Sequence, residues 1–141
     1  MPYIRIWIHF IWSTKNREKI ISSDLKPLLV EHIKKNAVSK NIFVDYINCI
    51  EDHIHMTVSL GSDQSPSKVM QLIKGESSCW VNKNKFINGH FEWQDEYIAV
   101  SVSESVINKV REYIKRQEEH HRLKSFSEEY NEFVKIFGFK Q

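Results

Sequence analysis

The run Glu51-Asp52-His53-Ile54-His55-Met56-Thr57-Val58-Ser59-Leu60 alternates apolar and polar residues with a period of two, which commits it to a strand. Ile54, Met56, Val58 and Leu60 fall on one side, and His53, His55, Thr57 and Ser59 on the other. A strand with one wholly apolar face needs a sheet around it and a layer of helices or strands to cover that face. Its opposite face holds two imidazoles whose Cβ atoms are roughly 6.5 to 7 Å apart, twice the strand rise. That span lets both rings converge on one divalent cation.

The neighbouring segments extend the pattern. Residues 3–13 alternate Ile4, Ile6, Ile8 and Phe10 with Arg5, Trp7, His9 and Ile11, so they read as a strand buried on both faces and central in its sheet. Asp24 can cap a helix through Leu25, Leu28, Leu29, His32 and Ile33 that ends near Ser39, with Pro27 tolerated in the first turn. Residues 42–50 form a second β-rich run, and Glu51-Asp52 is the right length for a hairpin turn into the histidine strand. Ser65 or Ser67 opens a second helix carrying Val69, Leu72, Ile73 and Trp80, and residues 82–94 read as a loop. Residues 97–103 make a fourth strand, and Ser103 or Ser105 caps a third helix running to about His121. The order β-α-β-β-α-β plus a helix is the α+β, ferredoxin-like or RRM-like split βαβ antiparallel sheet, with helices on one face. A C-terminal helix over residues 125–137 presents Phe126, Tyr130, Phe133, Val134 and Phe137, a stripe that suits packing against the domain or a partner subunit.

With 141 residues the chain is expected to form one domain spanning 1–141. Its net charge of +2 announces no polyanion partner, so a nucleic-acid reading depends on local basic runs. Lys15, Arg17 and Lys19 form one; Lys68, Lys74, Lys83 and Lys85 another; Lys109, Arg111, Lys115, Arg116, Arg122 and Lys124 a third. Taken singly, each run reads as a solvated helix face. Cys49 and Cys79 are far apart and form no CxxC pair, which points to reduced thiols. Arg5 and His9 interrupt the apolar N-terminal run, so no membrane span or signal peptide is expected and the reading is cytoplasmic.

On the third helix, Val106, Val110, Tyr113 and Gln117 fall within about a sixth of a turn of one another. A tyrosine on such a stripe is ordinarily core. Gln117 changes the weighing, because a buried amide must find a hydrogen-bond or metal partner and its carbonyl oxygen suits a hard cation. Two histidines and an amide oxygen leave coordination positions open, as catalysis requires.

These residues also carry a resemblance to the single-tyrosine HUH transposases of small bacterial insertion sequences, of the insertion sequence 200 type. Ile8-His9-Phe10-Ile11-Trp12-Ser13-Thr14-Lys15-Asn16-Arg17 resembles that family's first strand, and Asp52-His53-Ile54-His55 its histidine motif. Lys68 through Lys74-Gly75 with Trp80, Trp93-Gln94 with Tyr97, Ser101-Val102-Ser103, and Tyr113 through Arg122 follow in the family's order. Glu96 and Ile98 stand where glycines are expected. The resemblance implies that His53, His55 and Gln117 hold Mg²⁺ or Mn²⁺ and that Tyr113 attacks single-stranded DNA to give a 5′-phosphotyrosine link. It further implies a homodimer that recognises DNA hairpins, in which one subunit's tyrosine helix can complete the other's site. Lys68, Lys74, Arg111, Lys115 and Arg116 are then candidates for phosphate contacts.

Other readings of the histidines fare less well. A two-histidine phosphoesterase needs a second copy of the His55-Met56-Thr57 pattern, and none surrounds His9, His32, His90, His120 or His121. A histidine-triad hydrolase needs a third histidine where Thr57 stands. A replication-type nicking endonuclease and a domesticated, non-catalytic hairpin binder remain as alternatives. His120 and His121 point about 100° apart on a helix, so at most one faces the site.

Overall fold

The computed structural model describes residues 3–119 and 124–138. Four antiparallel strands, β1 (Trp7–Ser13), β2 (Phe43–Cys49), β3 (His53–Ser59) and β4 (Ile98–Val102), form one sheet in the order β2-β3-β1-β4. Helices α1 (Leu25–Ser39) and α2 (Pro66–Lys83) supply the two crossovers, and α3 (Ile107–Lys115) and α4 (Phe126–Phe137) follow the last strand. This is the expected split βαβ sheet. β1 lies between β3 and β4, as its two-sided apolar pattern requires, so it offers no free edge to a partner.

The two faces of the sheet have different occupants. Ile8, Phe10, Trp12, Ile54, Met56 and Val58 point to one side, where they pack with Leu25, Leu29 and Ile33 of α1 and Val69, Met70 and Ile73 of α2. Each such side chain contributes roughly 1.5–3 kcal/mol by leaving water, so this layer dominates the stability of the fold. On the other side, register pairs Ser13 with His53, Ile11 with His55 and His9 with Thr57. The helices α3 and α4 close over this polar face, Phe126 of α4 joining Ile11 and Ile98 in a small second cluster.

Several boundaries differ from the sequence reading. The α1 helix spans the expected residues, but Asp24 makes no side-chain cap; Ser22 Oγ accepts from the Leu25 amide at 3.1 Å instead. Asp24 already has helical dihedrals, which turn its carboxylate away from the capping geometry. Ser65 caps α2 by accepting from the Lys68 amide, and Ser125 caps α4 by accepting from the Glu128 amide. The third helix is shorter than its apolar periodicity suggests. It begins after Val106 without a serine cap and ends at Lys115, with Arg116 at the break and residues 117–119 helical again. No glycine or proline marks that stop, and Ser103 and Ser105 bond to each other rather than to α3.

A register shift between Val44 and Tyr46 bulges β2. There Asp45 accepts from Thr57 Oγ1 at 3.0 Å and receives both forks of Arg111, at 2.7 and 2.8 Å. Asn48 Nδ2 donates to the carbonyl of Ile114 at 2.8 Å. These bonds tie α3 to the β2–β3 hairpin within one chain and so fix where Tyr113 stands.

Candidate functional site

His53 and His55 are fully buried on β3, their ring centroids 5.2 Å apart. Each is held from behind through Nδ1. Asp52 Oδ1 lies 2.6 Å from His53 Nδ1, and His9 Nε2 lies 3.0 Å from His55 Nδ1. Such bonds fix ring orientation and leave the Nε2 atoms to face a common point, the arrangement found behind metal-binding imidazoles. Burial and the neighbouring His55 charge push His9 down to about 3, so it is neutral at ordinary pH and able to accept a hydrogen bond from His55 Nδ1.

The group at that common point is Glu129, from the first turn of α4. Its Oε1 is 3.1 Å from His55 Nε2 and its Oε2 is 3.7 Å from His53 Nε2. The two imidazoles and this carboxylate place one ligand atom each within 4.8 Å of one another, a set able to hold a metal ion. The hydroxyl of Tyr113 donates to the same carboxylate in a short hydrogen bond, and its ring centroid lies 5.6 Å from that of His55. Burial would raise the Glu129 carboxyl, but the hydrogen bond and charge of His55, with help from Tyr113 and His53, outweigh it and hold the group at about 2. The Tyr113 phenol is pushed well above its usual value by burial first, and then by the hydrogen bond and charge of Glu129.

Gln117 is also fully buried, although the break at Arg116 takes it off the continuous helix. Its Nε2 reaches the Tyr113 carbonyl at 3.4 Å, and a bond toward the phenol lowers the tyrosine's pKa against the other influences. Its Oε1 is buried with no hydrogen-bond partner among the described residues. An orphaned amide oxygen on a side chain that bonds the same phenol as Glu129 is the donor chemistry a hard or borderline divalent cation would satisfy.

Thus the structure gathers His53, His55, Tyr113 and Gln117 in one neighbourhood within a single chain, and adds Glu129 and His9. The Glu129 signal was present in the sequence. A carboxylate stands on the same helical stripe as Phe126, Tyr130 and Phe133, where a purely packing helix would carry an apolar residue. The basic residues fare differently. Arg111 is committed to Asp45 and lies over the Trp7 ring, and Lys74 donates to the carbonyls of Gln94 and Asp95. Lys68, Lys115 and Arg116 are exposed. His120, His121 and Arg122 lie outside the described residues.

A β2-β3-β1-β4 sheet that gathers paired imidazoles, a carboxylate and a phenol under its last helices has the build of a small DNA transposase. The chain belongs to the IS200-like transposase family, whose model matches residues 3–117. The transposase of insertion sequence element IS200 from Salmonella typhimurium LT2 is 26% identical over 121 residues, covering 82% of this chain and 78% of that protein. The ISDra2 transposase TnpA of Deinococcus radiodurans is 24% identical over 115 residues, covering 77% and 81%. Two solved structures share the fold, each with a TM-score of 0.66. One is a crystal structure described as a transposase from D. radiodurans R1, 19% identical, covering 83% of this chain and 95% of that one. The other is a REP-associated tyrosine transposase bound to a REP hairpin, 16% identical, covering 86% and 72%. Glu129 lies beyond the residues the family model matches. Among the described residues, no helix is long and apolar enough to cross a membrane.

Proposed function

We propose that this chain is a metal-dependent, single-tyrosine transposase that cuts and rejoins single-stranded DNA through a covalent 5′-phosphotyrosine intermediate. The observation that carries the reading is the Tyr113 hydroxyl bonded to a carboxylate that also reaches both His53 and His55. His53, His55 and Glu129, with the Gln117 oxygen available, would hold Mg²⁺ or Mn²⁺. The ion would polarise the scissile phosphate and offset the charge that develops on it.

A phenol raised above its usual pKa is a poor nucleophile, so it needs a base within reach. Glu129 accepts the phenol's hydrogen bond and aims its oxygen, and the proton passes to water as the phenolic oxygen bonds to phosphorus. The bond from phosphorus to the 3′ oxygen breaks, and the departing oxygen takes a proton from water and leaves as a free 3′-hydroxyl. The phosphotyrosine ester preserves the bond energy, so another 3′-hydroxyl can reverse the step and join new DNA. His9 and Asp52 keep the two imidazoles aimed throughout.

The whole of 1–141 is read as one such domain acting in the cytoplasm, with hairpin-ended single-stranded DNA and a second copy of the chain as partners. Exposed Lys68, Lys115 and Arg116 are available for phosphates, whereas Arg111 and Lys74 serve the fold first. The test is incubation with labelled single-stranded hairpin DNA and Mn²⁺, followed by a denaturing gel. An adduct that disappears in Tyr113→Phe and under chelation supports the enzyme. Tight binding without an adduct would identify a non-catalytic hairpin binder instead. Light scattering with and without DNA reads the dimer.

A further inference from the structure

A second cavity, of about 310 Å³, opens beside the site between the end of β1, the turn at residues 15–17, the loop at 94–97 and α4. Phe126 is the wall between them. Its ring stacks on His53 at 4.4 Å, tilted 27°, and also lines the cavity. Whatever occupies this space is therefore one aromatic ring away from the imidazoles at which a scissile phosphate would sit.

The lining has the chemistry of a planar heterocycle site. The Arg17 guanidinium lies over Phe126 at 5.4 Å and Tyr130 at 5.0 Å, giving stacked π and cationic surfaces. Asn16 brings a side-chain amide that makes no hydrogen bond among the described residues, and Glu96 a carboxylate that receives only a long 3.4 Å bond from the Tyr130 hydroxyl. An amide both donates and accepts, and a carboxylate accepts from an exocyclic amino group. A bare phosphate fits less well, because Glu96 repels it and Arg17 is spent on the two rings and on Ser127 Oγ at 2.5 Å.

The turn that presents these groups is held in an uncommon conformation. Asn16 and Arg17 both have left-handed φ, 57° and 55°, without being glycine. Lys15 N to the Glu92 carbonyl and Asn16 N to Gln94 Oε1, each 3.0 Å, clamp it. Strain kept in place by surrounding bonds is commonest where a loop must present specific groups to a ligand.

We infer that this cavity is a subsite for one unpaired, amino-bearing nucleobase flanking the scissile phosphate. The inference rests on the single-stranded DNA reading above and adds where the strand's sequence is read. The Arg17 guanidinium, backed by Phe126 and Tyr130, stacks on the base, and the Asn16 amide and Glu96 carboxylate read its edge.

The test uses the full chain carrying Tyr113→Phe, so that nothing becomes covalent, with three probes: tetradeoxycytidylate, tetrathymidylate and an abasic tetramer of the same backbone. Amide NMR titrations should give affinities in the order cytosine, thymine, abasic, with about tenfold between the first and last. The largest shifts should fall on the Asn16 and Gln94 side chains. Asn16→Gly suits the left-handed φ and keeps the backbone bond, so the fold is retained; it should lose about fivefold for the cytosine probe and nothing for the abasic one. Equal binding of the cytosine and abasic probes, or of the cytosine and thymine probes, overturns the inference. A cytosine preference, with no adduct when the unsubstituted chain meets hairpin DNA and Mn²⁺, leaves this subsite standing and removes the cleavage reading. An adduct without the preference removes the subsite alone.

Discussion

The two faces of one sheet obey different rules. Toward α1 and α2, β1 and β3 present Phe10, Trp12, Ile54, Met56 and Val58, an apolar surface meeting an apolar surface. Toward α3 and α4 the same strands present His9, Ser13, His53, His55 and Thr57, all buried and all polar. Hydrophobic burial accounts for the first face; on the second, buried polar groups cost free energy unless each finds a partner. Thr57 finds Asp45, His53 finds Asp52 and His55 finds His9, while Glu129 from the chain's last third reaches both His53 and His55. One face gives the fold its stability, and the other gives up some of that stability to hold a buried polar cluster.

The sharpest way to break this contrast is to empty the stable face. Phe10→Ala removes a fully buried ring and should lower unfolding free energy by about 3–5 kcal/mol in denaturant titration. A loss under about 1 kcal/mol would mean that the α1–α2 layer is not the main core. Glu129→Gln comes next. It should weaken Mn²⁺ binding, read by the electron paramagnetic resonance of free Mn²⁺, by about 10- to 100-fold. An unchanged affinity would take Glu129 out of the cation site. His9→Gln keeps an amide near His55 but loses the fixed imidazole contact, and should cost about tenfold in Mn²⁺ affinity.

The smallest effect is a pH dependence. His9 is held at about 3 in the folded chain against an ordinary 6.5, so only the unfolded chain takes up its proton between those values. Its contribution is fully present above about pH 6.5 and is lost as pH falls toward 3, amounting to about 1–2 kcal/mol by pH 5. Glu129, lowered to about 2 from 4.5, loses its contribution only below about pH 4.5. Stability of His9→Gln should therefore fall less steeply than wild type between pH 6.5 and 4.5. Parallel curves there would show that His9 is not buried as a neutral ring.

Legibility followed the range of the interactions. Strand alternation carried β1 and the β2–β3 hairpin, and the serine and glycine-poor apolar runs carried α1 and α2, because those signals are local. The histidine pair was readable for the same reason, since two residues on one strand share a face whatever surrounds them. The end of α3 at Lys115 was not readable, as no residue there breaks a helix; tertiary contacts at Asp45 and Asn48 hold that segment instead. Arg111 looked like a phosphate ligand because the bulge that presents Asp45 to it exists only in the folded sheet. Glu129 drew no reading of its own beside the aromatic stripe of Phe126, Tyr130 and Phe133. Its partners lie 16 residues back at Tyr113 and on β3, and periodicity within one helix carries no information about either.

The central claim is that the phenol of Tyr113 and the His53, His55 and Glu129 set act on one phosphate. The most direct measurement is peptide mass mapping of the protein after reaction with single-stranded hairpin DNA and Mn²⁺. The account predicts a nucleotide-bearing peptide modified at Tyr113, absent when the metal is chelated and absent in a His53→Ala, His55→Ala double variant that still folds. A modification at any other residue, or one at Tyr113 that persists in that double variant, would contradict it.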